Sequence, residues 1–128
     1  MMMTTDITDE ERRRRIDAAR AEVRELRANP NTPRQSYWLS FADSDLPKGQ
    51  QFLGALIVDD CVNLADAIEQ SHRAKVNPGG AVGAHVLPKR AFEEDAALRL
   101  APRLTLMDKT ELLRRGLIEA PDGHNTKA

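Results

Sequence analysis

Two stretches of this chain carry apolar side chains at nearly every position, Tyr37-Trp38-Leu39-Ser40-Phe41-Ala42 and Gln51-Phe52-Leu53-Gly54-Ala55-Leu56-Ile57-Val58, and they constrain its fold most. Successive side chains of a strand point to opposite faces of the sheet. Tyr37, Leu39 and Phe41 are therefore expected on one face, with Trp38 and Ala42 on the other. In the second stretch Phe52, Leu56 and Val58 alternate with Leu53, Ala55 and Ile57. A sheet that is apolar on both faces has to be covered on both.

The segment between the two strands, Asp43-Ser44-Asp45-Leu46-Pro47-Lys48-Gly49, has the chemistry of a tight turn. Asp and Ser bond their own backbone, Pro presets φ, and Gly permits positive φ, so the two strands form a hairpin. Asn63-Leu64-Ala65-Asp66 then opens a helix, with Asn63 as N-cap and an acidic residue at the positive helix end. Leu64, Ala65, Ile68 and His72 share one face of it, and Asn77-Pro78-Gly79-Gly80 is expected to end it. Ala81-Val82-Gly83-Ala84-His85-Val86-Leu87 reads as a third strand closed by Pro88. The pattern is ββαβ in an α+β fold, and the handedness of crossovers brings the third strand beside the first. The expected sheet is three-stranded and antiparallel, in the order 2-1-3. That topology places the turn at Lys48, Gly49 and Gln50 and the loop at Asn77, Gly79 and Gly80 at one end of the sheet. Loops on a rigid scaffold carry binding groups, so these six residues form the candidate ligand- or partner-binding set.

The flanks are helical. Residues 6–28 begin with Thr8 and Glu11 in capping-box spacing. Ile16, Ala19, Val23 and Leu26 follow in a narrow apolar stripe, and Asn29-Pro30-Asn31-Thr32-Pro33 stops the helix. Ile16, Val23 and Leu26 are the candidate contacts of a partner-docking helix. On the other side, Ala91 to Leu100 is a helix interrupted at Pro102, and Asp108-Lys109-Thr110-Glu111 starts a short helix ending at Gly116, with Leu117 as its hydrophobic contact. The chain divides into an amphipathic helix and linker (1–33), a ββαβ core with a C-terminal helix (34–118), and a frayed tail (119–128). The second sheet face awaits cover from the N-terminal helix, the C-terminal segment or a second copy of the chain, so a homodimer is one expectation.

Composition narrows the function. The chain has 128 residues and a net charge of −1, enough for one domain and with no bulk field toward nucleic acid or membrane. Arg12-Arg13-Arg14-Arg15 spreads around its helix among Glu10, Glu11, Asp17 and Glu22, and aromatic residues are only 4% of the chain, so base stacking and a basic nucleic-acid face are both poorly served. The single cysteine, Cys61, excludes an intrachain disulfide and reads as a small buried apolar residue. His72, His85 and His124 lack the close spacing of metal ligands, so no metal and no cofactor are expected. No nucleophile, base and orienting group can be assembled, and neither phosphate-binding glycine motif is present. The reading is non-enzymatic, with no catalytic residues. The start of the chain lacks the pattern of a secretion signal, and no apolar run is long enough for a bilayer, so a cytoplasmic protein is expected.

The set Trp38-Leu39-Ser40-Phe41, Phe52-Leu53-Gly54 with Ile57-Val58, and Asn77-Pro78-Gly79-Gly80 with Val82 and Gly83 resembles a group of small bacterial and phage proteins. The stretch Arg103-Leu104-Thr105-Leu106-Met107-Asp108-Lys109-Thr110-Glu111-Leu112 is similar to their C-terminal part, so the likeness covers about residues 37–118. The group brings no established activity. It implies a compact module of the accessory genome, of phage or mobile-element origin. The sequence reading is thus a small binding module that engages an unknown small molecule or host protein through the loop end. The alternative is a structural or assembly protein docking through its N-terminal helix.

Overall fold

The computed structural model describes residues 8–119. They form α1 (Asp9–Ala28), β1 (Gln35–Ala42), β2 (Phe52–Cys61), α2 (Leu64–Arg73), β3 (Ala81–Leu87), α3 (Lys89–Glu94), α4 (Ala96–Leu100) and α5 (Lys109–Arg115). The fold is α+β, with a three-stranded sheet in the order β2-β1-β3 in which β1 is antiparallel to both neighbours. Apart from Glu119, the expected tail lies outside the described residues.

β1 supplies the centre of two cores. Tyr37, Leu39 and Phe41 pack with Leu56, Val58, Cys61 and Ala67 on the face covered by α2. Trp38, on the opposite face, joins two clusters, one around Ala55, Met107 and Leu112 and one around Ile57, Leu87 and Ala101. The second face is therefore covered by the chain's own C-terminal segment, with Phe92, Leu98, Leu117 and Ile118 packed at its margins. Arg103 anchors this cover: it bonds Asp59 on β2 at 2.9 Å and stands over the Phe92 ring at 4.8 Å. No second copy of the chain is needed to cover that face.

The same segment also closes one sheet edge. Leu104 N–H donates to Ile57 O at 2.8 Å, while Met107 and Ala55 exchange bonds at 2.9 and 3.0 Å. Gly54 makes this approach feasible. Its φ is +135°, and a Cβ there would lie 2.8 Å from Met107 O and 2.9 Å from a Leu106 methyl.

Local structure departs from the sequence reading at four places. The β2 register slips opposite Phe41 and Ala42, which puts Leu53 with the α2-side core and Phe52 opposite Ala42 on the Trp38 side; a bulge reverses the alternation expected for this pair. β2 runs on to Cys61, past a second slip where Asp60 has φ 59°. α2 stops at Arg73, with Lys75 at φ 62°, so the turn comes before Asn77-Pro78-Gly79-Gly80. Finally, the expected 91–100 helix is two short helices broken at Asp95, whose carboxylate caps α4 through Ala97 N–H at 2.9 Å. By contrast, the caps read from sequence at Thr8, Asn63 and Asp108 are all made. Gly116 is left-handed at the end of α5, and Leu117 N–H closes back on Leu112 O at 2.9 Å.

Replacing Gly54 by Ala should push the 104–107 segment off the edge of β2 and destabilise the fold by about 1–3 kcal/mol. Urea denaturation monitored by Trp38 fluorescence measures this as a lower midpoint.

Candidate functional site

α1 lies against α2 without a single buried residue of its own. Its C-terminal end is clamped instead by charge. Asp66, fully buried on α2, accepts from Arg27 Nε at 3.0 Å and from Val62 N–H at 2.9 Å, and pairs with Arg27 Nη2 at 2.8 Å. The Arg27 guanidinium also donates to Asp60 O at 2.6 Å, and Arg34 from the linker pairs with the Asp60 carboxylate at 3.1 Å. The hydrogen bond to Asp66 holds the Arg27 pKa above its ordinary value, so the guanidinium stays charged throughout the neutral range. A buried carboxylate needs such partners, because an unpaired one would be strongly disfavoured. A carboxylate in the first turn of α2 also complements the helix dipole.

α1 and α2 frame an open groove of about 1000 Å³ that runs up to the clamp, with Arg27 and Asp66 in its lining. Ile16, Ala19 and Val23 contribute from α1, and Ala65, Ile68 and His72 from α2. Ile16 remains 43% exposed. Charge on the groove is unbalanced. Arg20, Arg24, Arg27 and Arg73 line it against only Asp66 and Glu69. Asp66 is taken up by Arg27, and Glu69 is shared between Arg20 at 3.6 Å and Arg73 at 3.8 Å. The result is an apolar strip rimmed by guanidinium groups on a chain whose net charge is −1.

Ile16 and Val23 line the groove and face α2, and Leu26 is half-buried near the clamped end of the same helix. The two loops do share one end of the sheet, since Ala42 pairs with Phe52 on one side and with Ala81 on the other. Lys48, Gly49, Gln50, Gly79 and Gly80 are exposed there, and Asn77 is half-buried. Part of the loop backbone is already engaged: Gly79 N–H donates to Asn77 Oδ1 at 2.8 Å, and Gln50 N–H to Pro47 O at 2.9 Å. Asp43 and Asp45 stand on the same turn as Lys48, so the local charge does not favour an anion. Gly49 borders a shallow pocket of about 580 Å³ with Trp38 and Phe52.

In the sequence Asp66 reads only as a helix-start acid, and nothing there marks Arg27. Their pairing is long-range, and the only sequence signal was an acid placed beside an N-cap. The apolar face expected for α2 is also turned. Ala67 and Ser71 are buried toward the sheet, while Leu64 and His72 are exposed.

Cys61 is fully buried, and burial pushes its thiol pKa up to about 12. A thiol so far from ionisation is a packing group. Among the described residues no group of three or more His, Cys, Asp or Glu side chains could hold a metal ion, and no helix is long and apolar enough to cross a membrane. Comparison of the chain with protein-family models, with curated proteins and with solved structures gives no match.

Two outcomes test this geometry. Arg27→Ala should cost about 1.5–3 kcal/mol, the range for a hydrogen bond to a charged group, and trypsin should then cut the arginine-rich α1 faster than in the parent chain. Arg27→Lys keeps the charge but loses the planar fork, and it should recover only part of the loss. With its pKa raised, Cys61 stays protonated at neutral and mildly alkaline pH, so an aromatic disulfide reagent should label it only after unfolding.

Proposed function

We propose that this chain is a small non-enzymatic binding module that receives an acidic, amphipathic segment of a partner protein in the groove between α1 and α2. The observation that supports this most is the pairing of a half-exposed apolar stripe with an excess of guanidinium groups along one groove. An apolar groove binds the apolar face of a helix, and its charged rim selects the sign of the flanking residues. Guanidinium groups also form two-pronged bonds with carboxylates, which favours an acidic segment over a neutral one. In this reading Ile16 and Val23 belong to the binding surface and Arg20, Arg24 and Arg73 to its rim. A cytoplasmic host protein is the proposed partner, in keeping with the accessory-genome setting implied by the resemblance to small bacterial and phage proteins.

A second reading places binding at the loop end. It is favoured by the convergence of the two loops beside Ala42 and by the pocket at Gly49, Trp38 and Phe52.

Selection from a random peptide library separates the two. The parent chain should enrich acidic amphipathic sequences. Val23→Glu, at a position that is not buried, should weaken binding of a selected peptide by at least about tenfold, equivalent to about 1.4 kcal/mol. Lys48→Glu should leave that binding unchanged. The opposite pattern would favour the loop end, and enrichment insensitive to both substitutions would dismiss both sites.

A further inference from the structure

The two edges of the sheet are treated differently. The outer edge of β2 is covered by residues 104–107, whereas among the described residues β3 pairs only with β1. Six of the seven residues of β3 are exposed. Open edges are normally protected by charged side chains, proline or a bulge. Between Ala81 and Leu87 there is no charged residue and no proline, and the register with β1 is unbroken from Ser36↔Leu87 to Ala42↔Ala81.

We propose that β3 pairs antiparallel with β3 of a second copy, in the register centred on Ala84, to make a continuous six-stranded sheet. The strand is self-complementary in that register. Val82 faces Val86 of the second copy and Ala84 faces Ala84, all on the face that carries Tyr37, Leu39 and Phe41. Val82 and Val86, 38% and 39% exposed in the single chain, gain cover from each other. On the opposite face, His85 meets Gly83 of the second copy. Gly83 has no positive φ to require glycine, and an added Cβ would meet only Ser40 Oγ at 3.2 Å, so the missing side chain leaves room for the imidazole. His85 is already stacked on Trp38, with ring centroids 6.3 Å apart, which fixes where it stands.

Charge agrees with this arrangement. Pro88 ends the ladder, and the following Lys89 and Arg90 of one copy then reach the end of the sheet where Asp43 and Asp45 of the other leave β1. A two-fold pairing makes this contact twice. Both copies keep their α1–α2 layers on the same side of the joined sheet, which leaves the groove between those helices open.

Sedimentation equilibrium of the full chain, from micromolar to millimolar protein, tests the pairing. The parent chain should dimerise. Ala84→Arg sets two like charges face to face across the two-fold axis at an exposed position, so it should raise the dissociation constant by at least about tenfold with an unchanged circular dichroism spectrum. As a positive readout, Ala84→Cys should form a disulfide-linked dimer under mild oxidation, because directly opposed strand residues lie within disulfide reach. Lys48→Cys should not. A parent chain that stays monomeric throughout, a dimer indifferent to Ala84→Arg, or equal cross-linking at positions 84 and 48 would overturn the proposal.

Discussion

The structure depends on a middle strand that is apolar on both faces. β1 lies between two neighbours and contributes Tyr37, Leu39 and Phe41 to one side and Trp38 to the other. Neither side tolerates water, so the chain must supply two covers, and it has few long helices with which to do so. α2 provides the first. The second is a succession of short pieces, α3, α4, the 104–107 segment and α5, held to the sheet by Trp38, Met107 and Leu112 and by the reach of Arg103 to Asp59. Using the C-terminal segment in this way also seals one edge of the sheet and leaves β3 as the other.

α1 stands outside this scheme. It adds no buried residue and is tied to the body by the Arg27–Asp66 pair, supported by Asp60 and Arg34. A polar clamp at one end and an apolar groove along the rest is a division of labour. The clamp holds the C-terminal end of α1, while along the groove Ile16 stays exposed and Val23 half-buried. On the proposed reading, full packing of Ile16 and Val23 on α2 would hold the helix firmly but leave no apolar surface for a partner.

Much of the candidate surface could be read before the fold was known, and what could not has a physical cause. The loops around Lys48 and Gly79 come together as expected because topology and crossover handedness suffice to place them. The stripe of Ile16 and Val23 was visible in its helical spacing. Its counterpart on α2 was not, because a burial pattern of Asp66, Ala67 and Ser71 looks polar to any periodicity argument. Asp66 can be buried because Arg27, distant in sequence, neutralises it, with Val62 N–H as a second partner. Likewise the reversal of Phe52 and Leu53 follows from a one-residue slip in pairing, which strict alternation does not anticipate.

By itself, the sequence determined the elements whose causes are local: the three strands, the caps at Thr8, Asn63 and Asp108, the left-handed stop at Gly116, and from these the ββαβ order of the sheet. Side-chain oxygens bond backbone a few residues away, and apolar periodicity needs no knowledge of neighbours. Only the tertiary structure decided which segment covers the second face of β1, which sheet edge stays open, and how α1 is held. Each of those outcomes rests on a contact between distant residues, Leu104 on Ile57, Met107 on Ala55, Arg27 on Asp66, whose partners meet only when the chain has folded.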